Sequence, residues 1–272
     1  MRSILVHIHD DDCLQARLQV ALDLARQFDG HLTCLQAVPF EFGVPGDIYG
    51  TMAAQVAEDY RKLGDQLRDR IQAQLASEDV IWEWTDCNGA AAIQLPRYAP
   101  LNDIIILGAH NPVGKSQRPS ALVSEVISHI QAPILVVPPN IAKMPLDVPA
   151  MVAWNGSAEG AHALKAAMPM LHRAASVHIL TVSEEKDKER YDLPPTGAAK
   201  YLARHGIEAE IVNLPHEDDA SIAEILVNAT HIRKGGYLVM GAYGHSRFRE
   251  SVLGGVTRDM LCDPEIPLLL SH

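Results

Sequence analysis

The sequence predicts an α/β chain of two tandem halves, each a five-stranded, mostly parallel sheet with helices on both faces. Three observations predict it. The same order of apolar runs and helical periods occurs twice, strand patterns alternate with helix patterns throughout, and aliphatic residues dominate the core. Of 272 residues, 47% are hydrophobic but only 5% aromatic, which suits parallel sheets covered by helices. That length fits one large domain or two of ordinary size.

Taken in order, Ile4–Ile8 is a short apolar strand. Leu14–Phe28 follows as a helix, with Leu14, Leu18, Ala21, Leu22 and Ala25 on one face. His31–Val38 is the next strand. A long polar helix (about Ala53–Leu75), a strand (Val80–Trp84) and a helix near Ala90–Tyr98 follow. Asp103–Gly108 is the fourth strand. After a loop and a helix, Pro133–Val137 closes the first half. The second half repeats the order. Ala150–Trp154 is a strand, Ala161–Arg173 a helix and Val177–Val182 a strand. A helix (about Gly197–His205), a strand (Ile207–Leu214) and a helix (Ser221–Lys234) lead to the strand Gly236–Gly241. A loop, a helix at about Val256–Cys262 and the strand Pro267–Leu270 finish it. Strands alternating with helices imply right-handed crossovers and a Rossmann-like parallel sheet. Pro138–Pro149 is rich in proline and weak in periodicity, so it reads as the boundary between domains at 1–140 and 149–272.

The formal net charge of -11 argues against a nucleic-acid partner, because phosphate backbones need basic patches. A bound nucleotide stays open, since a few backbone N–H groups can hold phosphate locally. Cys13, Cys34, Cys87 and Cys262 are widely spaced and form no CxxC pair, which reads as reduced thiols. Met1 leads straight into a strand pattern, and no apolar run reaches the roughly 18 residues of a membrane helix. The chain therefore reads as cytoplasmic, with no membrane partner.

In open parallel sheets, ligands sit beyond the carboxyl ends of the strands, where the strand order reverses. The loop after the fourth strand of the second half runs from Gly241 through Gly244, His245 and Arg247 to Gly254, Gly255, Val256 and Thr257. Glycines let backbone approach a phosphate and adopt positive φ, and a helix N-terminus then offers free N–H groups. Spacing alone does not separate this reading from turn glycines followed by helix-packing glycines.

The pattern Gly-x2-Gly-x9-Gly, met at Gly241, Gly244 and Gly254, resembles the nucleotide loop of the universal stress protein family. That family usually has Ser or Thr directly after the last glycine. Here Gly255 follows, with Thr257 two further on, as in the Gly-Gly-Val-Thr version of tandem members. Ala153-Trp-Asn-Gly-Ser157 is similar to the family's first turn, with Asn155 in place of the usual Asp. The resemblance covers nearly the whole chain, twice. It implies that ATP or another adenine nucleotide, with or without magnesium, binds in the second half. Gly244, Arg247, Gly254, Gly255 and Thr257 would hold phosphates, with Gly241, His245 and Val256 in the same loop and helix start. Asn155 and the backbone of Ala153 and Val182 would face the nucleoside. It also implies that the halves pair through their last strands, as an internal pseudo-dimer that a further homodimer could extend.

The first half departs from the pattern. Its loop has Asn111 for the second glycine and Ala121 for the late one, Pro112 and Pro119 remove N–H donors, and His9 stands where the first-turn Asp is expected. Gly114-Lys-Ser116 lacks the upstream glycine spacing of a Walker loop. His7-Ile-His9-Asp-Asp11 carries two imidazoles on one strand face, the alternative reading being a metal-dependent hydrolase. Its competing explanation is a His pair before an acidic helix start, and no metal is expected. No nucleophile elbow or suggestive cysteine context points to catalysis, so slow ATP hydrolysis is the most the residues leave room for. The function expected is a stress-response sensor or regulator. The alternative is a member that lost nucleotide binding and acts as a partner- or ligand-binding module.

Overall fold

The computed structural model describes residues 1–38, 50–109, 119–182, 193–216, 219–242 and 254–272, with 50–57 as backbone alone. The first half runs β1 (Ser3–Ile8), α1 (Leu14–Phe28), β2 (His31–Val38), α2 (Gly50–Leu75), β3 (Ile81–Asn88), α3 (Ala91–Tyr98), β4 (Ile104–Gly108), α4 (Ala121–Ile127) and β5 (Ile134–Val137). The second runs β6 (Pro149–Ala153), α5 (Ala158–Ala166), α6 (Met168–Leu171), β7 (Ser176–Val182), α7 (Pro195–Arg204), β8 (Ala209–Leu214), α8 (Ile222–Ile232), β9 (Tyr237–Gly241), α9 (Gly255–Cys262) and β10 (Leu268–Ser271).

All ten strands join one sheet in the order β3-β2-β1-β4-β5-β10-β9-β6-β7-β8. Neighbours within each half are parallel. Between the halves, β10 pairs antiparallel with β5, with Leu268 opposite Val136, Leu269 opposite Leu135 and Leu270 opposite Ile134. Every one of these six side chains is buried. Helices α1, α2, α5, α6 and α7 pack on one face and α3, α4, α8 and α9 on the other. The antiparallel junction places the carboxyl edges of the two halves on opposite rims of the sheet.

Local sequence explains the differences from the predicted limits. The helix expected at Ala161–Arg173 starts earlier, because the Ser157 side chain accepts the Gly160 N–H as an N-cap. It is interrupted at Ala167, because Pro169 has no N–H to continue the ladder. Strand β3 runs four residues past Trp84. Its outer residues are polar, yet its backbone pairs with β2 from His31–Ile81 to Val38–Asn88. Helix α1 ends where Asp29 turns left-handed (φ 48°) and its N–H returns to Ala25 O. Among the described residues, no helix is long and apolar enough to cross a membrane.

The segment between the halves is docked along most of its length. Met144 and Leu146 are buried in the same core cluster as α1 and α5. Asp23 of α1 accepts the Met144 N–H at 2.8 Å, and Gln27 donates to Met144 O at 3.0 Å while accepting from Leu146 N at 3.2 Å. Val148 passes so close to Gly236 that a Cβ there would lie 2.3 Å from Val148 Cγ2. Pro149 already belongs to β6, paired with Ser176.

Truncating Leu146 tests whether this segment is structural. Leu146→Ala is expected to lower the unfolding free energy of the full chain by about 2–5 kcal/mol, the range for a buried leucine. Urea denaturation measures it, and a loss well under 1 kcal/mol would reduce the segment to a tether.

Candidate functional site

The strand order reverses beside β6, whose crossover through α5 leads to β7 on one side while β9 lies on the other. A crevice at such a point opens beyond the carboxyl ends of the strands. Ala153 ends β6, Val182 ends β7 and Gly241 ends β9. Ala153 and Val182 are partly buried against the same core cluster as Val256. Beyond Ala153 the chain turns sharply. Asn155 Oδ1 accepts the Ser157 N–H at 3.1 Å, and Gly156 between them has φ 78°, where a side chain would be strained. Ser157 then caps α5. This turn brings α5 hard against β9, and a Cβ at Gly241 would lie 2.5 Å from Gly160 N and 2.6 Å from Glu159 C. Gly241 is thus needed for space rather than for positive φ.

Helix α9 starts on the same rim. Its N-cap is Gly254 (φ -56°, ψ 145°), which has no side chain to satisfy the first turn. The N–H groups of Gly255, Val256 and Thr257 have no acceptor within the helix. Among the described residues, a Cβ at Gly254 or Gly255 would meet nothing within 4 Å. Gly255 is exposed, whereas Thr257 is buried at the third helical position. Thus Ala153, Asn155, Val182, Gly241, Gly254, Gly255, Val256 and Thr257 all lie at one carboxyl rim. Gly244, His245 and Arg247 lie outside the described residues.

The first half has the same scaffold with a different filling. Sheet register pairs Val6 with Ile106 and Val152 with Val239, each two residues before the glycine that ends β4 or β9. His7 therefore corresponds to Ala153 and His9 to Asn155. The His7 and His9 rings stack with centroids 5.8 Å apart and planes 5° apart. His7 is buried, and its Nε2 has no hydrogen-bond partner. Burial first, then the Arg17 and His9 charges, hold its pKa well below the usual imidazole value. His9 is also lowered, by burial first, against the raising effect of Asp11.

His9 matches Asn155 in register but not in role. Asp11 makes the equivalent turn, its Oδ1 accepting the Cys13 N–H at 2.9 Å. The turn is two residues longer than in the second half, since Cys13 caps α1 five residues past Ile8 while Ser157 caps α5 three past Trp154. Arg17 fills the added room. Its Nη1 lies 3.1 Å from Asp11 Oδ2 with both side chains at most 5% exposed, and its Nη2 donates to His9 O at 2.9 Å. A Cβ at Gly108 would lie 2.2 Å from Arg17 Nη1. No motif search flags Arg17. An Asp six residues before an Arg on the apolar side of an otherwise aliphatic helix is the signal that could have found it. At the far side of this rim, Ser120 caps α4 by accepting from Val123 N, unlike the glycine before α9. Asn111, Pro112, Gly114, Lys115 and Ser116 lie outside the described residues. Among the described residues, no group of three or more His, Cys, Asp or Glu side chains could hold a metal ion.

Two features define the class: a doubled Rossmann-like α/β unit, and a glycine-flanked helix start beside the switch point of the second half. Comparison with known proteins shows what the chain resembles. No protein-family model matches the chain. Universal stress protein Slr1230 from Synechocystis sp. is 29% identical over 171 residues, which cover 61% of this chain. The chain spans 57% of the length of that relative. Among solved structures, a universal stress protein from Archaeoglobus fulgidus superposes with a TM-score of 0.75 at 13% identity, covering 98% of this chain and 97% of its own. A functionally unknown protein, PA1789 from Pseudomonas aeruginosa, gives 0.61 at 15% identity, covering 100% and 92%. The chain thus resembles a universal stress protein in sequence over 61% of its length and shares the fold of another over 98% of it.

The glycines yield a paired prediction. Gly241→Ala must push backbone of α5 and is expected to cost about 1–3 kcal/mol, as overpacking does. Gly255→Ala meets no described residue at a helical position and is expected to be neutral or stabilising by up to about 1 kcal/mol. Chemical denaturation of both variants checks this, and equal costs would refute the difference in packing.

Proposed function

We propose that the chain, as a universal stress protein, acts as a stress-response sensor or regulator that binds ATP or a related adenine nucleotide in its second half, taken as residues 149–272. The observation that carries this reading is the start of α9. It is a helix N-terminus with a glycine cap, no described residue against Gly254 or Gly255, and a place on the rim where the strand order reverses. Such a terminus favours anions through free N–H groups and the helix dipole. In this reading Gly254, Gly255 and the backbone of Val256 and Thr257 hold phosphate, joined by Gly241, Gly244, His245 and Arg247 of the glycine-rich loop. The Thr257 side chain is buried, so its backbone serves better than its hydroxyl. Asn155 and the strand ends at Ala153 and Val182 take the nucleoside side. Among the described residues no carboxylate cluster stands ready for magnesium, so magnesium would arrive on the phosphates.

The first half, taken as residues 1–140, is not given a nucleotide. Imidazoles occupy the positions matching Ala153 and Asn155, Arg17 fills the space beside Gly108, and Ser120 already satisfies a first-turn N–H of α4. The proposed setting is cytoplasmic, with neither nucleic acid nor membrane as partner.

Calorimetric titration of ATP is expected to show one site per chain. Gly244→Val should weaken it about a hundredfold or more. Losing two hydrogen bonds to a charged phosphate removes roughly 1.5–3 kcal/mol each, and ~1.4 kcal/mol is tenfold. Asn111 and Ala121 substitutions should leave affinity unchanged. Two equivalent sites, or tight binding in Gly244→Val, would show the ligand misplaced. No binding at all, with no nucleotide released from the denatured protein, would favour a partner-binding module.

A further inference from the structure

We propose that Ser176, His178 and Glu210 form a nucleophilic triad that transfers acyl groups from activated esters to water. The triad lies at the amino ends of β7 and β8. Ser176 starts β7 and Val182 ends it, about 20 Å away at ~3.3 Å per residue. It is therefore remote from the proposed nucleotide site and holds or fails without it.

The geometry follows from strand alternation. Ser176 and His178 sit two apart on β7, so their side chains leave the same face of the sheet. It is the face of Leu180 and Val212, on which α8 packs. Glu210 of β8 stands opposite His178 in the parallel register. Ser176 Oγ lies 3.0 Å from His178 Nε2, and His178 Nδ1 lies 2.9 Å from Glu210 Oε2. A carboxylate can only accept, so Nδ1 carries the imidazole proton and Nε2 presents its lone pair to the serine hydroxyl. That is the tautomer a general base needs, fixed by the third group. The first half shows the same pair without an imidazole. Register matches Thr33 to His178, Glu83 to Glu210 and His31 to Ser176. There Thr33 Oγ1 donates to Glu83 Oε1 at 3.0 Å. A hydroxyl is thus enough to link the two strands. In the second half an imidazole replaces it and carries the hydrogen bonding on to Ser176.

The side chains are within reach of solvent. His178 is 15% exposed and Glu210 65%, and Ser176 is partly buried. On the β6 side His178 borders Met151, against which the end of α8 closes. A Cβ at Gly235 would lie 2.8 Å from Thr230 Cγ2 and 3.0 Å from Met151 Cγ. The triad so has a wall on one side and water on the other. A site this open orients its substrate little, so it suits small acyl groups on a good leaving group. Ser176 Oγ bonds to the carbonyl carbon, its proton passes through His178 Nε2 to the leaving oxygen, and the bond from carbon to that oxygen breaks. Water then attacks the acyl-serine by the same route, releasing the acid and returning the proton to Ser176.

A fluorophosphonate added to the full chain tests this, with the adduct located by peptide mass spectrometry. Its phosphorus bonds to the serine oxygen as fluoride leaves and the hydroxyl proton goes to solvent. An adduct on Ser176 and slow turnover of p-nitrophenyl acetate are expected, both abolished by Ser176→Ala. His178→Ala should slow labelling about a hundredfold or more, the scale of general-base help, and added imidazole should restore part of it. Glu210 is a positioning residue. Glu210→Gln should slow labelling about tenfold or more and Glu210→Asp should recover part of the rate, with the unfolding midpoint unchanged in both. Thr33, bonded to a carboxylate alone, is the internal control and should stay unlabelled. No adduct on Ser176 of the folded chain would overturn the triad. So would labelling whose rate His178→Ala leaves unchanged.

Discussion

The antiparallel pairing of β5 with β10 constrains everything else in this molecule. Each half alone would end in a short strand of Ile, Leu and Val with an open row of backbone groups on one side. Such an edge is a template for association. Joining the two edges satisfies both ladders and lets helices from both halves cover continuous faces. It also turns the halves head to tail, so the two carboxyl rims face away from each other. The connecting segment packs against α1 on its way between them, where Asp23 and Gln27 receive it and Leu146 is buried rather than exposed. At the outer edges, β3 and β8 keep charged or polar residues such as Glu83, Asp86 and Glu210, which discourage further pairing.

Inside that frame, a two-residue change in one turn separates the fates of the halves. The short turn at Asn155 seats α5 on Gly241 by backbone contact. The longer turn at Asp11 leaves a gap beside Gly108 that only a side chain can fill, and Arg17 fills it. A buried guanidinium needs a partner and acceptors. Asp11 and the His9 carbonyl meet that need on two nitrogens, while Nε goes without. The glycine at the end of each fourth strand is thus kept for the same steric reason, against backbone in one half and a guanidinium in the other.

The order of elements was legible because aliphatic strands and amphipathic helices alternate with little ambiguity. Helix α1 begins and ends where its periodicity says. What escaped was local. Strand β3 looked finished at Trp84 because an edge strand carries polar residues outward, and only its partner β2 reveals its length. The segment at 138–149 looked like a linker because few apolar residues in it repeat, yet two of them suffice to anchor it. Residue counting matched His9 to Asn155, whereas hydrogen bonding gives the role to Asp11. A single sequence cannot show a two-residue turn insertion when strand and helix on either side keep their patterns.

The candidate site shows the same division between pattern and cause. Glycine spacing identified the loop, but the described glycines do not owe their place to left-handed backbone. Gly241 answers a close approach of α5, Gly156 is the one described glycine of this rim with positive φ, and Gly254 with Gly255 leave a helix start without a side-chain cap. These are different physical demands, and they predict different outcomes when a side chain is added. A substitution at Gly241 disturbs packing before it disturbs any ligand. One at Gly255 leaves packing alone, so a change in binding there would report on the ligand itself. The opposite rim reads the other way. Ser120 supplies the cap that Gly254 withholds, and two imidazoles stand where the second half has Ala153 and Asn155. Among the described residues, one copy of the fold thus carries a buried Arg17-Asp11 pair and two imidazoles at its rim, and the other a helix start without a side-chain cap.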